Sequence, residues 1–280
     1  MNISLRSSTT GFSLVELMIA MMLGLFLMAG VIQLFIGSSQ TYSVVTSQSQ
    51  SQESGRFGLF FLTRSLRHTG YWGEIGTRKQ FNAHEMFEKD AVISGSNDDS
   101  SIAEVQNGTD ELYVRMTGAE DGNMQTCLGE TLTHHQIAID HYFIGLPQGT
   151  EKVSSLFCSS QTYNLDTSTY EITTLDPSNP VITKSQPLLN GIENMQILYG
   201  INKLNDANEA VIAYVTAEDV PPGKWSGIQA VKVALLSTSN EFTSGINNDQ
   251  TYTLLDQAIT VNDRRPRMIF QQLVSLRNTI

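Results

Sequence analysis

Basic residues are few in this chain: 17 Lys and Arg stand against 28 Asp and Glu, a formal net charge of −11 over 280 residues. Neutralising a phosphate backbone needs clustered cations, and no basic run here exceeds a few residues, so direct nucleic-acid binding is not expected. There is no G-x-S-x-G elbow, no phosphate-cradling glycine loop and no Cys/His pair at nucleophile spacing, so neither catalysis nor a cofactor is expected. Cysteine is limited to Cys127 and Cys158. In an oxidising compartment they can form one bridge closing about 30 residues, worth roughly 3–4 kcal/mol in the chain-entropy model; the alternative is two buried thiols. No internal repeat is present.

Charge is also missing from one long stretch. Between Phe12 and Ile36 the one ionisable side chain is Glu16, and Gln33 is the one amide. The run contains no proline and is long enough, as a helix, to cross a hydrocarbon core of roughly 30 Å. The polar leader before it carries one cation, Arg6, which favours a cytoplasmic start. A secretory signal cleaved near Ala29 fits poorly, because the apolar run continues past that residue. An ionisable group in a bilayer is costly and reads as functional by default. Phe12 and Glu16 are one helical turn apart, on one face.

The heptapeptide G-F-S-L-V-E-L at Gly11 to Leu17, followed by this apolar run, resembles the class III signal of type IV prepilins and pseudopilins. The resemblance implies a cut by a membrane aspartyl peptidase between Gly11 and Phe12, N-methylation of Phe12, and a mature chain whose fifth residue is Glu16. In that family the glutamate is thought to neutralise the N-terminal amine of an adjacent subunit, so Glu16 is expected to act in assembly. A mis-docked subunit would leave its charge buried and unpaired.

Beyond Gly37 the sequence turns polar without proline, and Leu59, Leu62 and Leu66 recur at helical spacing beside Phe57, Phe60 and Phe61. One helix is expected from Phe12 to about Thr69, roughly 85 Å long, with the aromatics in the core and Gly70 as its C′ residue. The alternative for Ser38 to Ser54 is a flexible linker. From Tyr71 on, strands are expected at ELYVRM (111–116), HQIAIDHYFI (135–144), YEITTL (170–175), NMQILYGI (194–201), AVKVALLST (230–238), TYTLLDQAITV (251–261) and RMIFQQLVSL (267–276). Strands following a helix give an α+β class with a largely antiparallel sheet. The segments are then 1–11 as leader, 12–36 as membrane and assembly helix, 37–70 as its amphipathic continuation, and 71–280 as a β-rich globular domain.

This order is similar to the pilin fold. Asn190–Ile201, Val231–Ser239 and Asp263–Asn278 resemble the PilW-type minor pilins, and Cys127 and Cys158 correspond to that group's bridge. Gln33 stands where major pilins often carry proline, which points to a low-copy subunit. The resemblance implies type IV pilus assembly, in an initiation or tip complex, supporting motility, adhesion or DNA uptake. Its partners would be other minor pilins, the major pilin, the inner-membrane platform, the prepilin peptidase and a tip adhesin. The chain would sit in the inner membrane with a periplasmic domain before assembly and on the pilus afterwards. A minor pseudopilin of type II secretion is the nearest alternative; a membrane-anchored periplasmic enzyme is a distant one.

Three further constellations stand out. His134, His135 and His141 invite a metal, but on one strand His135 and His141 lie roughly 20 Å apart. Asp98 with Asp99, and Asn205, Asp206, Asn208 and Glu209, are oxygen-rich without the spacing of a calcium loop, and read as solvated turns. Arg264, Arg265 and Arg267 form either an interface for an acidic partner subunit or a turn pinned by Asp263.

Overall fold

A computed structural model describes residues 11–73, 87–98, 105–145, 153–164, 184–202, 211, 213–243 and 249–278. The chain separates into two units, Met1–Thr46 and Ser47–Ile280. One α-helix, α1 (Leu14–His68), contributes to both, and is helical through the Ser/Gln stretch that could have been a linker.

In the first unit every described helical side chain from Leu14 to Tyr42 is exposed, and the most apolar 18-residue window has mean hydropathy 2.4 with none of it buried. A helix apolar on all sides and long enough to span a bilayer is expected to meet lipid, not water.

In the second unit the remainder of α1 packs on two antiparallel sheets. The first is built from β1 (Ile93–Ser96), β2 (Glu111–Thr117), β3 (Gln136–Gly145), β4 (Ser155–Asn164) and β5 (Lys184–Asn190), paired in that order. The second runs β11 (Arg267–Ser275), β8 (Ala230–Thr238), β6 (Ile192–Ile201), β7 (Ala213–Val215). Leu62 and Leu66 of the helix share one core with Leu112, Val114, Tyr142, Ile144 and Leu156 of the first sheet and Met195, Ile197, Tyr199, Val233 and Leu235 of the second. The first sheet is also covered on its other face, where Tyr113, Ile137 and Ile139 meet Phe87 and Val92. Strand β2 is therefore buried at all seven positions.

The helix face turned to the sheets differs from the expectation. Phe57 and Phe60 are 49% and 57% exposed, so the aromatic stripe does not fill the core. The buried residues are Ser47, Ser51, Ser54, Gly55, Gly58, Leu62, Thr63, Ser65 and Leu66. Strands approach so closely that small residues are needed: a Cβ at Gly58 would lie 2.8 Å from Leu235 Cδ1, and one at Gly55 would enter the Phe270 ring. Ser237 Oγ donates to the Ser51 carbonyl at 2.7 Å and lies 2.7 Å from Ser51 Oγ, so the polar atoms of this tight contact serve one another. The helix ends as expected at Gly70, whose φ of +74° suits a residue without a Cβ; its amide donates to the Arg115 carbonyl at 2.9 Å.

Segment 251–261 is not one strand. It folds into a hairpin, β9 (Gln250–Leu254) and β10 (Gln257–Val261), turning at Leu255 with φ +49°. The hairpin lays Leu254 over Ala234 and Leu236 on the second sheet. Strands β1, β4, β5 and β7 lie outside the sequence expectations, and YEITTL falls outside the described residues.

Candidate functional site

The described helix starts at Leu14, with Leu17 N–H donating to Ser13 O at 3.1 Å. Gly11 and Phe12 therefore precede its first regular turn, and both are exposed. Glu16 lies in that first turn, where its carboxylate faces the positive end of the helix dipole. Because Phe12 stands before the helix, the stretch from Phe12 to Glu16 is not a full helical turn. Gly11, Phe12 and Glu16 are brought together by sequence proximity alone.

Cys127 and Cys158 are joined as a disulfide with Cα atoms 6.4 Å apart. The bridge ties the 125–131 loop to β4, whose Cys158 is fully buried. Asp140 of β3 lies beside it. Its Oδ2 accepts the Cys127 amide at 2.9 Å, while Oδ1 has no well-formed hydrogen bond among the described residues. Burial pushes this carboxyl up to about 6, against the lowering pull of the Ser160 hydroxyl and the Cys127 amide. Among the described residues, Cys127, Asp140 and Cys158 are the one set of ligand types close enough to share an ion, within 4.8 Å. Both sulfurs are spent in the disulfide, and a thiolate is what a metal requires.

The three histidines do not form a set. The His134 and His135 rings lie 3.8 Å apart before β3. His141 sits inside β3 with Nε2 2.6 Å from Glu111 Oε2, stacked on Tyr113 at 4.0 Å. Of the oxygen-rich loops, Asp99 and Asn205, Asp206, Asn208 and Glu209 lie outside the described residues. The Asp98 amide donates to Asp110 Oδ1 at 3.1 Å.

The arginine cluster divides. Arg267, its side chain 3% exposed, donates from Nε to Glu193 Oε2 at 2.5 Å and from Nη2 to Glu193 Oε1 at 3.0 Å. It also donates from Nη1 and Nη2 to Asp263 at 2.5 and 2.9 Å. One planar fork thus satisfies two carboxylates, a geometry lysine cannot copy. The Arg267 hydrogen bonds hold the Asp263 carboxyl below its ordinary range. The Arg265 amide donates to Asp263 Oδ1 at 3.0 Å, and its guanidinium lies over Phe242 at 4.6 Å. Arg264 is exposed. Asp263 therefore pins the turn and Arg267 is committed within the chain. Glu193, the other half of the pair, escaped sequence reasoning because it lies 74 residues away; no local signal marks it.

Residues 141–278 match the family model described as type IV pilus-assembly protein W, and residues 6–32 match the prokaryotic N-terminal methylation motif. Among solved structures, a type IV-like pilin from Thermus thermophilus aligns over 81% of this chain and 96% of its own, at 16% identity and a TM-score of 0.44. No curated protein matches. With the methylation motif at one end and the PilW match over the other, the chain is a type IV pilin-like protein that carries a PilW domain and acts in pilus assembly.

Proposed function

We propose that this protein is a low-copy minor pilin that enters an initiation or tip complex of a type IV pilus, with a structural and not an enzymatic role, in support of motility, adhesion or DNA uptake. The observation that carries this reading is the apolar start of α1, exposed at every position from Leu14 to Tyr42 and bearing one carboxylate, Glu16, in its first turn, on the same chain as the PilW-type domain. Peptidase cleavage after Gly11 frees the Phe12 nitrogen, which is then N-methylated. The Glu16 carboxylate pairs with the corresponding nitrogen of a neighbouring subunit. Extraction from the membrane exchanges lipid for helix–helix contacts, and an unpaired charge in that environment penalises a wrong register. The helix anchors the chain in the inner membrane with its domain periplasmic until assembly. Its partners are other minor pilins, the major pilin and the assembly platform, with the peptidase acting first and a tip adhesin as a neighbour in the fibre.

Mass spectrometry of the protein from cells containing the peptidase is expected to find a methylated N-terminus at Phe12. Retention of the initiating methionine there would overturn the reading. Glu16→Ala is expected to be processed normally yet lost from the sheared pilus fraction. A secretion defect with normal pili would instead place the chain among the type II pseudopilins.

A further inference from the structure

Edge strands are a hazard that soluble domains blunt with shortness, proline, lysine or a bulge. Most edges of this domain follow the rule. Strand β1 has four residues and β7 three, and β5 carries Pro187 and a register shift against β4. Strand β11 does not. It pairs with β8 through nine consecutive residues without a shift, Arg267↔Thr238 to Ser275↔Ala230. It holds neither proline nor lysine, and among the described strands its other side forms the border of the sheet. Its one cation, Arg267, is turned inward onto Glu193 and Asp263.

The surroundings of that border are also unusual. Ile269 and Leu273, on the outer face of β11, are 38% and 54% exposed. On the inner side, where the Thr63 hydroxyl of α1 donates to Gln272 Oε1 at 3.1 Å, an open depression of about 490 Å³ is lined by Leu59 and Phe60 and by Arg56, Arg64, Arg67 and His68. Arg56, Phe60, Arg64 and Arg67 recur at helical spacing along one exposed stripe. A chain of net charge −11 thus places a row of cations and apolar side chains beside a strand edge that no other described strand pairs with.

We infer that β11 is the acceptor edge for a strand donated by a neighbouring pilin-like subunit, one whose strand carries acidic side chains toward the arginine row and apolar ones beside Ile269 and Leu273. This inference rests on the pilus-assembly reading. Strand addition supplies affinity through main-chain hydrogen bonds and specificity through alternate side chains. A second copy of this chain is the wrong partner. Antiparallel pairing of β11 with itself about a two-fold axis sets both arginine rows on the same face, opposite one another, and like charges so placed repel. A donor of opposite charge makes the contact heterologous, which suits an open filament.

The test places the photoreactive residue p-benzoylphenylalanine at exposed Gln271 of the full-length chain, in cells that make pili. Light is expected to cross-link it to a segment of another pilin-like subunit with alternating apolar and acidic residues, mapped by mass spectrometry. Arg56→Glu with Arg64→Glu, and separately Ile269→Lys with Leu273→Lys, should each cut the yield roughly tenfold. All four positions are exposed, so thermal melting should not move. Cross-links to a second copy, to lipid or to a segment without acidic residues would overturn the inference, as would yields unchanged in both variants. A chain present in the sheared pilus fraction but never cross-linked there sinks the edge docking alone; a wild-type chain absent from that fraction sinks the assembly reading instead.

Discussion

Arg267 keeps its charge in a nearly solvent-free position because Glu193 and Asp263 meet its guanidinium from two sides. Removing one member of such a set leaves the others uncompensated, which is where most of the cost lies. Arg267→Met is expected to lower stability by about 3 kcal/mol in urea titration, and Arg267→Lys to recover only part of it, since an ammonium cannot satisfy two carboxylates at once. Asp263, held below its ordinary range, contributes stability that is present above the unfolded carboxyl value and lost as pH falls through its lower folded one. Asp140 behaves oppositely. Its carboxyl is raised from 3.8 to about 6, so the fold retains the proton where the unfolded chain has released it. That contribution is complete below the unfolded value and is lost as pH rises through about 6. Asp110, raised to about 7 chiefly by burial, acts in the same sense. Asp140→Asn keeps an oxygen for the Cys127 amide and removes the buried charge. Urea titrations across this range should therefore show a flatter pH dependence and, near neutrality, a variant more stable by roughly 1–2 kcal/mol.

At the scale of elements, legibility followed periodicity. Strand β8 matches its expected bounds and β2, β3, β6 and β11 lie within a residue or two of theirs, because alternation and flanking turn residues mark them. Strand β4, SLFCSSQTYN, has a run of small polar residues at its centre and no alternation, since the first sheet is covered on both faces. The β9–β10 hairpin lacks the Asn-Gly or Asp-Gly pair that usually announces a two-residue turn; Leu255 instead adopts a positive φ while packing toward the hairpin's own core. The helix misled in another way. Over Ser47 to Gly58 its buried face is serine and glycine, which reads as linker, while Phe57 and Phe60 read as core and are exposed; Leu62 and Leu66 are buried as their spacing implies. What decides the matter is the distance of approach, which one strand of sequence does not carry. Gly55→Ala tests it. Alanine favours a helix by about 1 kcal/mol over glycine, yet the new methyl enters the Phe270 ring, so a net loss of roughly 1–3 kcal/mol is expected by thermal melting. Gly30→Ala, where nothing lies within 4 Å, should leave the melting of the domain unchanged.

At the scale of the molecule, the two units answer to different solvents. From Leu14 to Ile36 the side chains of the first are exposed and, apart from Glu16 and Gln33, apolar, and the helix satisfies its backbone internally, the requirement for a segment surrounded by lipid. The second contains the shared core of helix and sheets, the disulfide and the Arg267 pairs. If this division is physical, a chain beginning at Ser47 retains every one of those features and loses only the lipid-seeking surface. It is expected to be soluble without detergent, to show a cooperative melt, and to lose roughly 3–4 kcal/mol of stability when Cys127 and Cys158 are both changed to alanine. The full-length chain should require detergent or lipid while its domain melts at the same temperature, because the core and its cross-link are the same in both. A Ser47 chain that is soluble but melts without cooperativity would mean that the domain depends on the segment before it. Assembly could then not treat the helix as an independent anchor, to be moved from lipid to filament while the domain stays folded.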